Sequence, residues 1–346
     1  MYRVRRRRLR LLLGVVLVLL LAHTAGQLLN DTGHVRMPTA RAPNDHHRTY
    51  VSAVGWPLQG QAALALGNGR PAASPHQQPV PIASLAKVMT AYLILERYPL
   101  SGAQDGFTIT VTAAQAQAGA EDAAQKQSVV AMRAGEQLTE RQLLEALLVP
   151  SGNNVARMLA AVAAGSETRF IAEMNASARA LGMHHTIYTD PSGFDPSTVS
   201  TATDQLRVFQ QAMRFPVFRQ IVSLPSVTLP VAGALTNYNP LIAEGYAGKT
   251  GSDSAAGGCL AFFTHATVAG HGLTTVGVVL GQGQGSDTQA LLAAAGDAAK
   301  QLVDSVAPAI RVRAVGGPGA AGVPGGAAGR QRPRLLLAPG RASAQN

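Results

Sequence analysis

The chain has 346 residues, of which 47% are hydrophobic, with one cysteine and a formal net charge of +10. That length supports a sizeable core, and the lone Cys259 excludes an intramolecular disulfide. Six Arg lie in residues 1–10 and six in 307–346, with no acid in either segment; residues 11–306 then hold 17 Lys and Arg against 19 Asp and Glu, a near-neutral body that does not support a nucleic-acid-binding surface.

In chain order, Arg3 to Arg10 lead into LLLGVVLVLLLA at residues 11–22. A basic start and an apolar run shorter than the roughly 20 residues of a spanning helix make residues 1–26 a signal peptide or signal anchor. Export follows in both cases, because a basic flank keeps the N-terminus inside. Residues 27–52 read as a polar linker, 53–306 as the folded body, and 307–346 as a disordered Gly/Pro/Ala-rich basic tail (GGPGAAGVPGGAAG).

Within the body, QAALAL at 61–66 reads as an early strand and a long apolar helix begins near Ser84. Thr139 and Gln142 form a capping box for a helix through Leu148, which Pro150 stops. Another helix opens after Asn153, and a further one runs from about Thr168 to Leu181, stopped by Gly182. Strand-like runs follow at 244–250, 259–268 and 274–281. A last helix, 286–305, gathers Leu291, Leu292, Ala295, Ala299, Leu302 and Val303 on one face. This order predicts an α+β fold with an antiparallel sheet flanked by helices.

Three motifs stand out: Ser84-Leu85-Ala86-Lys87, Ser151-Gly152-Asn153 and Lys249-Thr250-Gly251, separated by 67 and 98 residues. Ser84 and Lys87, three apart on a helix, share a face. Lys87 is the only charge between Ala83 and Leu95, so it is expected to be buried and to need a partner or a depressed pKa. Such a lysine can deprotonate a serine. Ser151 and Asn153, two apart in an extended turn, point the same way, one to relay a proton and the other to hold Lys87 and the substrate. Only four Lys occur, at 87, 126, 249 and 300, and two of them fall in motifs. Lys249 would depress the Lys87 pKa and, with Thr250, attract a substrate carboxylate. Gly251 lets the backbone approach a ligand, and the amides of Ser84 and Ser252 make the natural oxyanion hole. Neither the nine His nor Gly281–Gly285 has metal-ligand or dinucleotide-binding spacing, so no metal or cofactor is expected.

Over roughly residues 50–306 the chain resembles the D-alanyl-D-alanine carboxypeptidases, low-molecular-mass penicillin-binding proteins. ASLAKVMTAYL, LLEALLVPSGNNVARMLA, LGMHHTIYTDPSGFD with STATDQL, TNYNPLI and GYAGKTGSDSAAGGCLAF carry the likeness. The resemblance implies a β-lactamase/transpeptidase-like fold whose helical subdomain holds the second motif. It implies Ser84 as nucleophile, Lys87 as base, Ser151 and Asn153 in relay and orientation, and Lys249 and Thr250 on the substrate's terminal carboxylate. The partners it implies are peptidoglycan stem peptides ending in D-Ala-D-Ala, with β-lactams as covalent inhibitors. Rival readings are a D,D-endopeptidase, a silent wall-binding protein and a β-lactamase. The last needs a deacylating Glu-x-x-Leu-Asn loop, which the chain lacks after Ser151.

Overall fold

All six residues of β1 (Gln61–Leu66) are buried, which a strand achieves only when both faces of its sheet are covered. A computed structural model describes residues 47–51, 54–67, 69–268, 271–306 and 310–314. β1 lies in a five-stranded sheet with β2 (Ala72–Ala73), β3 (Ala247–Asp253), β4 (Gly257–Val268) and β5 (His271–Gln282). The order is β3-β4-β5-β1-β2, and every neighbouring pair is antiparallel.

Alternation along the strands divides the core in two. Ala62, Leu64 and Leu66 join Leu260, Phe262 and Val279 beneath the C-terminal helix, α8 (Thr288–Val306), through its Ala295, Ala299 and Leu302. Ala63 and Ala65, with Cys259, Ala261 and Val278, face the other way into a larger cluster with Leu85, Val88 and Met89. That side is built from the chain between β2 and β3: α1 (Ala86–Arg97), α2 (Ala113–Ala124), α3 (Glu140–Leu148), α4 (Asn153–Ala164), α5 (Glu167–Ala180), α6 (Ala202–Ala212) and α7 (Pro216–Val222).

Local chemistry sets the helix ends. The expected Thr139–Gln142 capping box is present at α3, and Thr112 with Gln115 makes a second at α2. Thr201 caps α6, and Gly182 takes a positive φ just past α5. α1 buries Ala86 to Ala91 and then Ile94 and Leu95, burial worth roughly 1.5–3 kcal/mol for each large apolar side chain.

Sequence and structure differ in places. α2, α6, α7 and a hairpin of Ser226–Leu229 with Gly233–Thr236 were not among the predicted elements. Short strands His47–Val51 and Ile310–Ala314 pair with each other inside the stretches expected as linker and tail. The remainder of those stretches, and the signal segment, lie outside the described residues. Among the described residues no helix is long and apolar enough to cross a membrane.

Candidate active site

Ser84 sits in a single 3-10 turn, Ala83–Leu85, that leads directly into α1. Ala83 has φ +45°, left-handed backbone that costs a residue with a Cβ roughly 1 kcal/mol. Half-buried Ser84 thus stands at a strained entry, and the first turn of α1 carries Lys87 behind it.

Lys87 is fully buried, and its Nζ lies 2.7 Å from Ser84 Oγ, 2.7 Å from Asn153 Oδ1 and 3.0 Å from the Ser192 carbonyl. Asn153 Oδ1 and the Ser192 carbonyl can only accept. A neutral amine has two N–H bonds and one lone pair. With both hydrogens given to those acceptors, the lone pair is left for Ser84. Burial pushes the Lys87 pKa well below the usual lysine value, and the positive charge of Lys249 lowers it further, against an opposing pull from Asp190. The ammonium of Lys249 is also fully buried, which brings its pKa down to about 7; its Nζ donates to the Thr250 carbonyl at 2.8 Å.

The third motif reaches Ser84 through Gly251. A Cβ there would stand 2.9 Å from the Ile82 carbonyl oxygen and 3.0 Å from the Ser84 amide nitrogen, so β3 can lie against the Ser84 turn only with glycine at this position. Thr250 is buried and paired in register with Leu260, while Ser252, the next residue of β3, is half-buried. Gly152, where class A β-lactamases have Asp, is explained by packing. A Cβ at 152 would lie 2.8 Å from Val155 Cγ2 and 3.0 Å from Val130 Cγ2.

Hydrogen bonds therefore link Ser84, Lys87 and Asn153, and Gly251 abuts them by packing. The expected extended turn at Ser151 is corrected: Ser151 has φ +65°, a left-handed residue joining α3 to α4. Its buried hydroxyl has no hydrogen-bond partner among the described residues. Asn153 is the first residue of α4, so its side chain projects from a helix start and not from a loop.

Two contributors had no assigned role in the sequence. The Asp190–Asp195 loop supplies the Ser192 carbonyl on Lys87, and Thr90 Oγ1 of α1 clamps it by donating to the Pro191 carbonyl at 2.7 Å. Burial alone would raise the Asp190 pKa. Donation from the Ser192 hydroxyl at 2.5 Å, and from the amides of Ser192, Gly193 and Asp195, holds it below the usual carboxylate range instead. The second contributor is Gln127, whose Oε1 accepts from Asn153 Nδ2 at 3.0 Å. An Asp followed by Pro-Ser-Gly signals the loop, whereas nothing local marks Gln127.

A serine hydrogen-bonded to a buried lysine one helical turn away, at the edge of an antiparallel sheet, defines the penicillin-binding and transpeptidase class of fold. The chain aligns with a point variant of the Streptomyces K15 DD-transpeptidase at 25% identity and a TM-score of 0.60, covering 71% of this chain and 96% of that one. The chain belongs to the D-alanyl-D-alanine carboxypeptidase family, whose model matches residues 72–283. Among curated relatives, the D-alanyl-D-alanine carboxypeptidase DacB2 of Mycobacterium tuberculosis is 35% identical over 185 residues, 51% of this chain and 59% of the relative. A D-alanyl-D-alanine endopeptidase of Pseudomonas aeruginosa is 32% identical over 151 residues, 43% of this chain and 45% of the relative. The chain thus spans about half the length of the curated relatives it matches.

Proposed function

We propose that the protein is a serine-type D-Ala-D-Ala carboxypeptidase that removes the terminal D-Ala from peptidoglycan pentapeptides, and that β-lactams acylate the same serine. The observation that carries this reading is the three-way contact of Lys87 Nζ, which directs the lone pair of a neutral amine at Ser84 Oγ. Lys87 takes the Ser84 proton as Oγ bonds to the carbonyl carbon of the penultimate D-Ala. General-base help of this kind is worth about 10²–10⁴-fold. Negative charge develops on the carbonyl oxygen, towards the amides of Ser84 and Ser252. Collapse breaks the peptide bond, and the departing D-Ala nitrogen receives the proton from Lys87 through the Ser151 hydroxyl, leaving an acyl ester on Ser84. Water then hydrolyses the ester with Lys87 again as base. Lys249 and Thr250 bind the terminal carboxylate.

An endopeptidase acting on cross-links with the same residues is the second reading, favoured by the similarity to relatives named for that activity. The Arg-rich start and the apolar run at residues 11–22 support export to the outer face of the cell membrane, with residues 53–306 as the catalytic domain. A fusion of residues 1–52 to alkaline phosphatase should be active only if the segment exports it. For the activity, the protein is labelled with a fluorescent penicillin beside Ser84→Ala, and D-Ala release from a pentapeptide is measured. A lasting adduct that requires Ser84, together with D-Ala release, is expected. Rapid loss of the adduct with drug hydrolysis means a β-lactamase; no adduct on folded protein overturns the reading.

A further inference from the structure

The amide of Asn153 is nearly symmetric in shape, yet only one of its two orientations serves Lys87. With Oδ1 facing Nζ the amine's N–H has an acceptor; turned by 180°, an NH₂ group would face another donor. The Asn153 backbone does not decide between them, although it is well fixed. Its amide donates to the Ser128 carbonyl at 2.7 Å, and Asn154 bonds both the amide and the carbonyl of Val130, at 3.1 and 2.9 Å. The choice must come from whatever meets Nδ2.

That atom meets Gln127 Oε1 at 3.0 Å. Gln127 is another amide with the same ambiguity, so by itself it only passes the question along. Its Nε2, however, donates to Asp122 Oδ1 at 3.2 Å, and to Gln125 Oε1 at 3.4 Å. A carboxylate can only accept, so the direction of the chain ends there. Asp122 is buried on α2, where its other oxygen is ion-paired with Arg157 of α4, and its carbonyl accepts the Gln127 amide at 3.1 Å. From Arg157 through Asp122, Gln127 and Asn153 to Lys87, each link places a donor against an acceptor, and the orientation is anchored at the carboxylate end of the chain.

We propose that Gln127 is a positioning residue, oriented by Asp122, that fixes which atom of the Asn153 amide faces Lys87. This rests on the reading of Lys87 as the base. Replacement by Leu keeps the bulk and removes the constraint. Asn153 then samples both orientations, and the amine loses a constant acceptor. The charged form of Lys87, already opposed by Lys249 and Arg157 and supported by Asp190, is disfavoured further.

The test uses Gln127→Leu, Asp122→Asn and the double variant in the full chain. In Gln127→Leu, penicillin acylation should slow at least tenfold on the pH plateau and less on the acid side, its acid limb should move to lower pH, and the melting temperature should stay within about 3 °C of wild type. Asp122→Asn should slow acylation less, and the double variant should be no slower than Gln127→Leu, since Asp122 acts through Gln127. Two NMR readouts are independent of acylation. The Asn153 side-chain NH₂ should exchange slowly with water in wild type and quickly in Gln127→Leu. The Lys87 Cε titration, resolvable among four lysines, should shift downwards. Acylation of Gln127→Leu within twofold of wild type, additive effects in the double variant, or a freely exchanging Asn153 NH₂ in wild type would overturn the proposal. Failure of wild type to acylate would instead sink the carboxypeptidase reading and leave the NMR result to decide. If Gln127→Leu does not fold, wild-type exchange and Asp122→Asn decide.

Discussion

The pH dependence of turnover should separate the two buried lysines. Lys87 has to be neutral to accept a proton, so it sets the acid limb. On the proposed reading Lys249 has to be charged to hold the substrate carboxylate, and burial already brings its pKa down to about 7 in the free protein. Raising the pH removes that charge: at one pH unit above its pKa about a tenth of the free protein is competent, and at two units about a hundredth. kcat/KM for a D-Ala-D-Ala peptide should therefore fall about tenfold per unit on the basic side. Bound substrate changes the balance. A carboxylate ~4 Å from Nζ, at an effective dielectric of ~20, contributes about 4 kcal/mol, or about three pKa units, and so returns Lys249 towards its ordinary value in the complex. The basic limb should accordingly appear in KM, while kcat stays level up to about pH 9. Steady-state kinetics from pH 5 to 10, with a C-terminally amidated peptide as control, provides the check. The reasoning fails if the limb appears in kcat, or if the amidated peptide shows the same limb.

Stability should report on the same side chain. Lys249 has a lower pKa folded than unfolded, so the native state binds fewer protons between pH 7 and 10.5 and stability rises with pH across that window. Lys249→Met should be inactive, melt higher than wild type at pH 7, and show a smaller rise towards pH 10 than wild type, the remaining rise coming from buried Lys87. Lys87→Ala should slow acylation by 10²–10⁴-fold with the fold intact, as stopped-flow labelling would show; near-normal rates would remove Lys87 as the base. Gly152→Asp forces a Cβ to within 2.8 Å of Val155 and should cost about 1–3 kcal/mol by overpacking, read as a lower denaturant midpoint.

Much of the site was legible because its chemistry is local. Ser84 and Lys87 are one helical turn apart, and a single charge in an apolar helix has few explanations. The Thr139–Gln142 box is likewise a local hydrogen-bond pattern that tertiary packing has no reason to override. What could not be read depends on distant segments meeting. The Ser192 carbonyl reaches Lys87 across 105 positions, and Gln127 reaches Asn153 across 26. A backbone carbonyl carries no sequence signature at all. The left-handed Ser151 was hidden for another reason: serine has no preference for that conformation, and α3 and α4 impose it by arriving from both sides. α2 escaped notice because AAQAQAGAEDAA shows no clear apolar stripe, and it buries only Gly119 and Asp122.

The inaccessibility of Lys87 and Lys249 also gives the molecule an internal gauge of its own integrity. Among the described residues, an amine-directed acylating reagent meets exposed Lys126 and partly exposed Lys300 in the native state. Two further tags can attach only when the interior opens. Counting tags per molecule by mass spectrometry would then measure how often the catalytic centre is breached, without any substrate or drug being added.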